Sequence, residues 1–240
     1  MIRKLLSRRG IMTLGSILAF GILFSACMKN DDDIVQPQVA AVMAFNLVPD
    51  QQAVQFALSG NVLPGGPLAY TSYTGSYFNV FPGNRLIESF NPSTNDVLDS
   101  LEYTFQSDKY YSLFIVGANG NYQNIVSVNN YDSLTASSGK AYVRYINAIP
   151  DSSDPTVTIA AGGTNVVNAD ASFGSVSEFV AVTPGQLNVG ITNEGSVNAD
   201  RTITVEQQKA YTILLTGLPN QTDDTKAVQI RFIENGTVSD

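Results

Sequence analysis

The chain repeats itself at a spacing of about 100 residues, and that repeat decides what it can fold into. Phe45-Asn46-Leu47-Val48-Pro49-Asp50 matches Ile146-Asn147-Ala148-Ile149-Pro150-Asp151. Tyr77-Phe78-Asn79-Val80-Phe81-Pro82-Gly83 matches Phe179-Val180-Ala181-Val182-Thr183-Pro184-Gly185. Lys109-Tyr110-Tyr111-Ser112-Leu113-Phe114-Ile115-Val116-Gly117 matches Lys209-Ala210-Tyr211-Thr212-Ile213-Leu214-Leu215-Thr216-Gly217. The offsets are 101, 102 and 100, and the matches keep their order. A period this long exceeds a solenoid or propeller unit, so it predicts two copies of one whole domain. The expected domains are 39–136 and 139–240, parted by the small, polar and flexible Ser137-Ser138-Gly139.

Each copy reads as β structure. Tyr211, Ile213 and Leu215 alternate with Thr212 and Thr216; Val228, Ile230 and Phe232 alternate with Gln229 and Arg231; Ile203 and Val205 alternate with Thr202 and Thr204. A period of two predicts strands with one buried face. Short strands broken by Gly, Pro, Asn and Asp predict an all-β chain of two tandem immunoglobulin-like antiparallel β-sandwich domains, without the paired cysteines or Trp of antibody domains. Pro82-Gly83 and Pro184-Gly185 suit tight turns, because Pro fixes φ and Gly accepts a positive φ. Val48-Pro49-Asp50 and Ile149-Pro150-Asp151 suit strand ends, and Gly117 and Gly217 close their strands.

These shared motifs carry a resemblance. Asn-x-x-Pro-Asp after a first strand, an aromatic before Val-x-Pro-Gly, and Lys-x-Tyr-(Ser/Thr) before an apolar strand ending in Gly resemble domain-of-unknown-function family 4397 (DUF4397). The resemblance runs from Val39 to Glu234. It implies tandem sandwiches in a bacterial surface or secreted protein, and no particular reaction. The first copy departs from the pattern at Asn91 to Leu101 and at Asn119 to Tyr122; the second departs at Ala210, where the first has Tyr110.

The N-terminal segment reads as an address. Arg3, Lys4, Arg8 and Arg9 precede the uncharged apolar stretch Ile11 to Phe24, which is too short for the ~20 residues of a membrane span. Phe24-Ser25-Ala26-Cys27 resembles a bacterial lipobox, with Phe24 where Leu is usual. The expectation is a lipoprotein signal peptide over 1–26 and an acylated Cys27 (diacylglyceryl and palmitate) as the membrane anchor. The alternative is a plain signal peptide with an incidental cysteine. Residues 27–38 form an acidic tether, and Lys29-Asn30-Asp31-Asp32-Asp33 resembles the export tag of surface lipoproteins of Bacteroidota. That points to the outer membrane, lipid-anchored and cell-surface exposed. A merely solvated tether facing the periplasm is the competing reading.

Removing 1–26 leaves nine basic against 21 acidic side chains, a net charge of −12. Such a surface repels phosphate backbones, so no nucleic-acid partner is expected. The chain has no histidine, which removes the Ser-His-Asp triad and His-ligated zinc, and its single cysteine is the lipidation candidate. No phosphate-binding glycine motif is present. Glu88, Asp96, Asp99 and Glu102 are the carboxylates a glycosidase-like pair would draw on. Asp151, Ser152 and Asp154, with Asp223 and Asp224, are oxygen donors of the kind calcium takes. Both sets read better as solvated loop residues, so no catalytic residue, metal site or cofactor is expected. Tyr70 and Tyr73 are the binding candidates: if exposed, they could stack on a sugar or anchor a protein partner. The sequence thus predicts a surface-anchored non-enzymatic lipoprotein for binding, adhesion or envelope assembly, or alternatively an accessory glycan-binding component of a surface uptake system.

Overall fold

The computed structural model describes residues 38–151 and 153–239. The expected signal peptide, Cys27 and the tether as far as Pro37 lie outside the described residues, as does Ser152.

The first copy supplies β1 (Ala40–Asn46), β2 (Ala53–Leu58), β3 (Asn61–Val62), β4 (Leu68–Ala69), β5 (Phe78–Val80), β6 (Gly83–Phe90), β7 (Val97–Phe105), β8 (Tyr110–Ala118) and β9 (Asn121–Asn129). The second supplies β10 (Ala141–Asn147), β11 (Thr156–Ala161), β12 (Thr164–Asp170), β13 (Val180–Val182), β14 (Gly185–Thr192), β15 (Asn198–Val205), β16 (Lys209–Thr216) and β17 (Gln229–Thr237). Each copy is a sandwich of two sheets. The first stacks β5-β1-β8-β9 on β3-β2-β6-β7, with β4 beside β2; the second stacks β13-β10-β16-β17 on β12-β11-β14-β15. The orders are the same in both copies, as the repeat predicts. One ladder in each departs from the antiparallel expectation: β1 runs parallel to β8, and β10 runs parallel to β16.

Those parallel pairs are the centre of the molecule. Along β1, Ala40, Val42 and Ala44 face the core of their own sandwich, while Met43 and Phe45 face the other copy. Leu113 and Ile115 of β8 point inward, while Phe114 and Val116 point across. In the second copy Tyr145, Ile213 and Leu215 join its own core, whereas Ile146 and Leu214 join the shared cluster. The two copies are therefore packed sheet against sheet, in four layers. Each Phe, Ile or Leu fully buried in the seam contributes about 1.5–3 kcal/mol. This corrects the one-buried-face reading of Tyr211 to Thr216. Thr212 and Thr216 are both 0% exposed, because the opposite copy covers the face their alternation assigned to solvent. Parallel strand pairs are characteristically buried on both faces, and these follow that rule.

The boundary segment is likewise not a loose linker. Leu134 and Ala136 are buried with Tyr142, Ala210 and Val238. The Tyr142 hydroxyl accepts from Thr135 N at 2.9 Å and donates to Thr135 O at 2.9 Å. Tyr131–Ser133 and Ala136–Ser138 are single 3₁₀ turns. Residues Gln38–Asp240 form one compact unit.

The shared motifs do the same work twice. Asn46 Nδ2 donates to Leu68 O at 2.9 Å and its Oδ1 accepts from Val48 N at 3.0 Å. Asn147 Nδ2 donates to Ala171 O at 2.7 Å and its Oδ1 accepts from Ile149 N at 3.1 Å. Both asparagines are fully buried, so each satisfies a backbone donor and acceptor that would otherwise be orphaned. The Tyr111 hydroxyl accepts from Gln106 N at 2.8 Å, and the Tyr211 hydroxyl from Glu206 N at 3.0 Å. Gly83 and Gly185, after their prolines, take φ of +101° and +126°. Gly117 and Gly217 both have φ +112°, and a Cβ there would collide with the carbonyls of Asn121 and Ala227 respectively.

Candidate functional site

The most distinctive chemistry of the molecule lies in the seam. Arg144, on β10, is 2% exposed and occupies the position that Met43 holds in the first copy. Its Nε donates to Thr212 Oγ1 at 3.1 Å within its own copy. Nη2 donates to Ser112 Oγ at 2.8 Å and Nη1 to Ser127 Oγ at 3.2 Å, both in the first copy. The Cζ sits 4.7 Å from the centre of the Phe179 ring, a cation–π contact. Burial pushes the guanidinium below its usual value, while nearby Tyr131, Tyr77 and Glu178 oppose that shift. Its hydrogen-bond partners are hydroxyls rather than a carboxylate. A buried charge of this kind adds little net stability.

Beside Arg144 the seam gathers polar and aromatic groups. Asn129 Nδ2 donates to the Tyr77 hydroxyl at 2.6 Å, and the Tyr77 and Tyr131 hydroxyls share a 2.6 Å hydrogen bond. Burial raises both hydroxyls above the ordinary tyrosine value; for Tyr131 the neighbouring Tyr77 adds to the rise. The Thr212 hydroxyl donates to Asn235 Oδ1 at 2.7 Å. Because Thr212 Oγ1 already accepts from Arg144, this bond orients the Asn235 amide, which is buried and also acts on the neighbouring Tyr77 hydroxyl.

A pocket of about 560 Å³ opens here, where β5, the boundary segment and β17 converge. Tyr77, Tyr110, Tyr131, Asp132 and Asn235 are in its wall. The three rings touch edge to face, with centroids 5.0 Å apart for Tyr77–Tyr110, 5.4 Å for Tyr110–Tyr131 and 6.4 Å for Tyr77–Tyr131. Tyr110 is 44% exposed and forms the outer surface of the cluster. Asp132 at the rim pairs with Lys109 at 2.7 Å.

Tyr70 and Tyr73, the candidates drawn from sequence, lie half-buried at the seam. The Tyr70 hydroxyl is 3.0 Å from Thr216 Oγ1 of the other copy, and the Tyr73 ring stacks on Phe45 with centroids 5.5 Å apart. Tyr70 spends its hydroxyl on the other copy, whereas Tyr73 packs on Phe45 of its own copy within the shared cluster. The structure brings in Tyr77, Tyr110, Tyr131 and Asn235 instead. The sequence signals for them are the breaks in the repeat at Tyr77 and Phe179 and at Tyr110 and Ala210.

The carboxylates diverge. Glu88 and Glu102 lie on the face of β6 and β7 away from core residues Ile87 and Leu101. Asp99 Oδ2 accepts from Asn124 N at 2.6 Å, toward β9. Asp151 and Asp223 cap their own loops, accepting from Ser153 N and Thr225 N respectively. Among the described residues no group of three or more His, Cys, Asp or Glu side chains is gathered as metal ligands would be. A second concavity of about 330 Å³ lies between Val62 and Phe81; its Arg85 is spent on the Phe81 and Pro82 carbonyls.

The family model for the domain of unknown function DUF4397 matches residues 40–154 and 141–237, and the chain belongs to that family. No curated protein sequence matches it. Among solved structures, it is similar to the carbohydrate-binding module CBMbc (family CBM26) of Eubacterium rectale Amy13K in complex with maltoheptaose. That match has 10% identity and a TM-score of 0.26, and covers 82% of this chain and 97% of that one. It is also similar to a Bacteroides eggerthii protein provisionally described as a cell adhesion protein, at 10% identity and a TM-score of 0.28, covering 85% of this chain and 97% of that one. At these scores neither likeness bears on the site.

Proposed function

We propose that the chain is a lipid-anchored, non-catalytic surface module whose work is binding or adhesion. The observation that carries the reading is how the polar side chains are used. Those the two copies share, Asn46 with Asn147 and Tyr111 with Tyr211, are consumed by the fold, while Glu88 and Glu102 stand on one outer strand face and Asp99 turns toward β9. The basic start, apolar run and Phe24-Ser25-Ala26-Cys27 supply the anchor, and the aspartates after Cys27 supply the surface address. In cells, Cys27→Ala abolishes lipid labelling and membrane retention and leaves a folded soluble protein. Retention of the variant on the membrane contradicts the anchor. Protease shaving of intact cells removes the wild-type protein if it faces outward and spares it if it faces the periplasm.

A second reading, an accessory glycan-binding component of a surface uptake system, is favoured by one feature: the pocket in the seam walled by Tyr77, Tyr110 and Tyr131.

A further inference from the structure

We propose that the end of the first sandwich where the chain enters β1 rests on a lipid bilayer, with Phe81 as the inserted side chain and Val62 and Leu86 beside it. This deepens the lipid-anchored reading and rests on it. Among the described residues the exposed large apolar side chains are Val62, Phe81, Leu86, Val97, Tyr110 and Val166. Phe81, at 67%, is more exposed than any of the others. It follows Val80 at the end of β5, and Val80 is paired with Ala40, the first residue of β1. The chain that carries Cys27 is thus joined to the body at the strand end beside Phe81. Val62 shares a concavity of about 330 Å³ with Phe81, and the Leu86 carbonyl accepts from Ser59 N at 2.7 Å, in the hairpin leading to Val62. Arg85 donates to the Phe81 and Pro82 carbonyls at 3.2 and 3.1 Å, so the backbone that presents Phe81 is held in place.

The fold does not ask for these side chains. In the second copy Thr183 and Asn188 stand at the positions of Phe81 and Leu86, and both are exposed. The apolar side chains belong to the copy that the tether enters. The opposite end is made for water: the loops after β6, β10, β14 and β16 carry Asp96, Asp151, Asp154, Glu194, Asp223 and Asp224. Both copies point that end the same way, since a cleft of about 430 Å³ there joins Asn119 of the first to Pro150 and Leu218 of the second. Drying carboxylates is costly and drying exposed apolar surface is favourable, so a bilayer selects the Phe81 end. Residues 27–37 span at most about 40 Å, which keeps an anchored body within reach of the membrane. A patch too small to bind lipid alone is sufficient under those conditions, because the anchor raises its local concentration.

The chain has no tryptophan and one cysteine, which makes the test direct. The mature chain, beginning at Cys27, is coupled through that thiol to a maleimide phospholipid in phosphatidylcholine vesicles, so the result does not depend on acylation in cells. Phe81→Trp places a single emitter at the proposed contact, and Val97→Trp places one beside Asp96 at the far end. The expected result is that the emission of Phe81→Trp shifts to the blue on coupling and is quenched by brominated acyl chains, while that of Val97→Trp does neither. Hydrogen exchange over 61–64 and 79–85 slows on the vesicles in the wild type, and Phe81→Thr with Leu86→Asn, the residues of the second copy, loses that slowing. The proposal is overturned if Phe81→Trp is neither shifted nor quenched, or if Val97→Trp is quenched equally. It is also overturned if the shift and the slowing occur without lipid in a chain that sediments as a dimer, since a second copy then covers the patch. Absence of quenching leaves the anchor standing; membrane retention of Cys27→Ala in cells strikes the anchor and leaves the vesicle result standing.

Discussion

The two copies agree where the fold is made and disagree where they meet. Asn46 and Asn147, Tyr111 and Tyr211, and Gly117 and Gly217 have the same partners or the same backbone in each sandwich. At the seam they differ in chemistry: Met43 against Arg144, Ser112 against Thr212, Tyr77 against Phe179, Tyr110 against Ala210. Two identical domains would dock through identical faces, and any pocket would occur twice. Divergence at these positions gave the seam one buried cation and one aromatic pocket. The lesson is that in a duplicated chain the departures from the repeat, more than the repeat itself, mark candidate function.

Paired substitutions can break that comparison. The largest effect is expected at the shared glycines: Gly117→Ala and Gly217→Ala each cost about 3 kcal/mol or more, since the new Cβ meets backbone at positive φ. Equal losses in chemical denaturation support equivalence, and a strongly unequal pair breaks it. At the divergent position, Arg144→Ala empties a buried site and costs about 2–4 kcal/mol. Arg144→Met, which restores the residue of the first copy, stays within about 1 kcal/mol of wild type, because an apolar side chain of similar length escapes the desolvation cost. A larger loss in Arg144→Met would mean that the hydrogen bonds to Ser112, Ser127 and Thr212 carry the seam. The smallest effect concerns alkali. Burial holds the Tyr70, Tyr77 and Tyr131 hydroxyls above their ordinary 10.0, so the native protein keeps protons that the unfolded chain releases. The contribution of these hydroxyls is therefore constant below about pH 10 and is lost as the pH rises further. Tyr77→Phe, matching Phe179, removes part of that loss; an unchanged pH profile would refute the assignment.

Much of the fold is legible in the chain. The alternation in Thr202–Val205 and Val228–Phe232 and the repeat hold, because each reports burial or backbone geometry within one sandwich; at the Pro-Gly pairs the positive φ holds, but Gly83 and Gly185 open strands β6 and β14 instead of sitting in tight turns. The seam is less legible. Its signal is present in the nearly unbroken apolar runs of β1, β8, β10 and β16, but Thr212, Thr216 and Arg144 break those runs with residues that usually face water. Their burial depends on partners about 17 to 146 residues away, which no local pattern encodes. Tyr77, Tyr131 and Asn235 come from three separate segments for the same reason. The clustering of Tyr70 and Tyr73 is visible in sequence, whereas the side they face is set by the docked copy.

The pocket exists only while the two sandwiches are closed on one another, so the central claim is that they fold and unfold together. Differential scanning calorimetry of the full chain tests this most directly. The account predicts one transition with matching calorimetric and van't Hoff enthalpies, shifted as a whole by Arg144→Ala. Two separate transitions, or a shift confined to one of them, would contradict it.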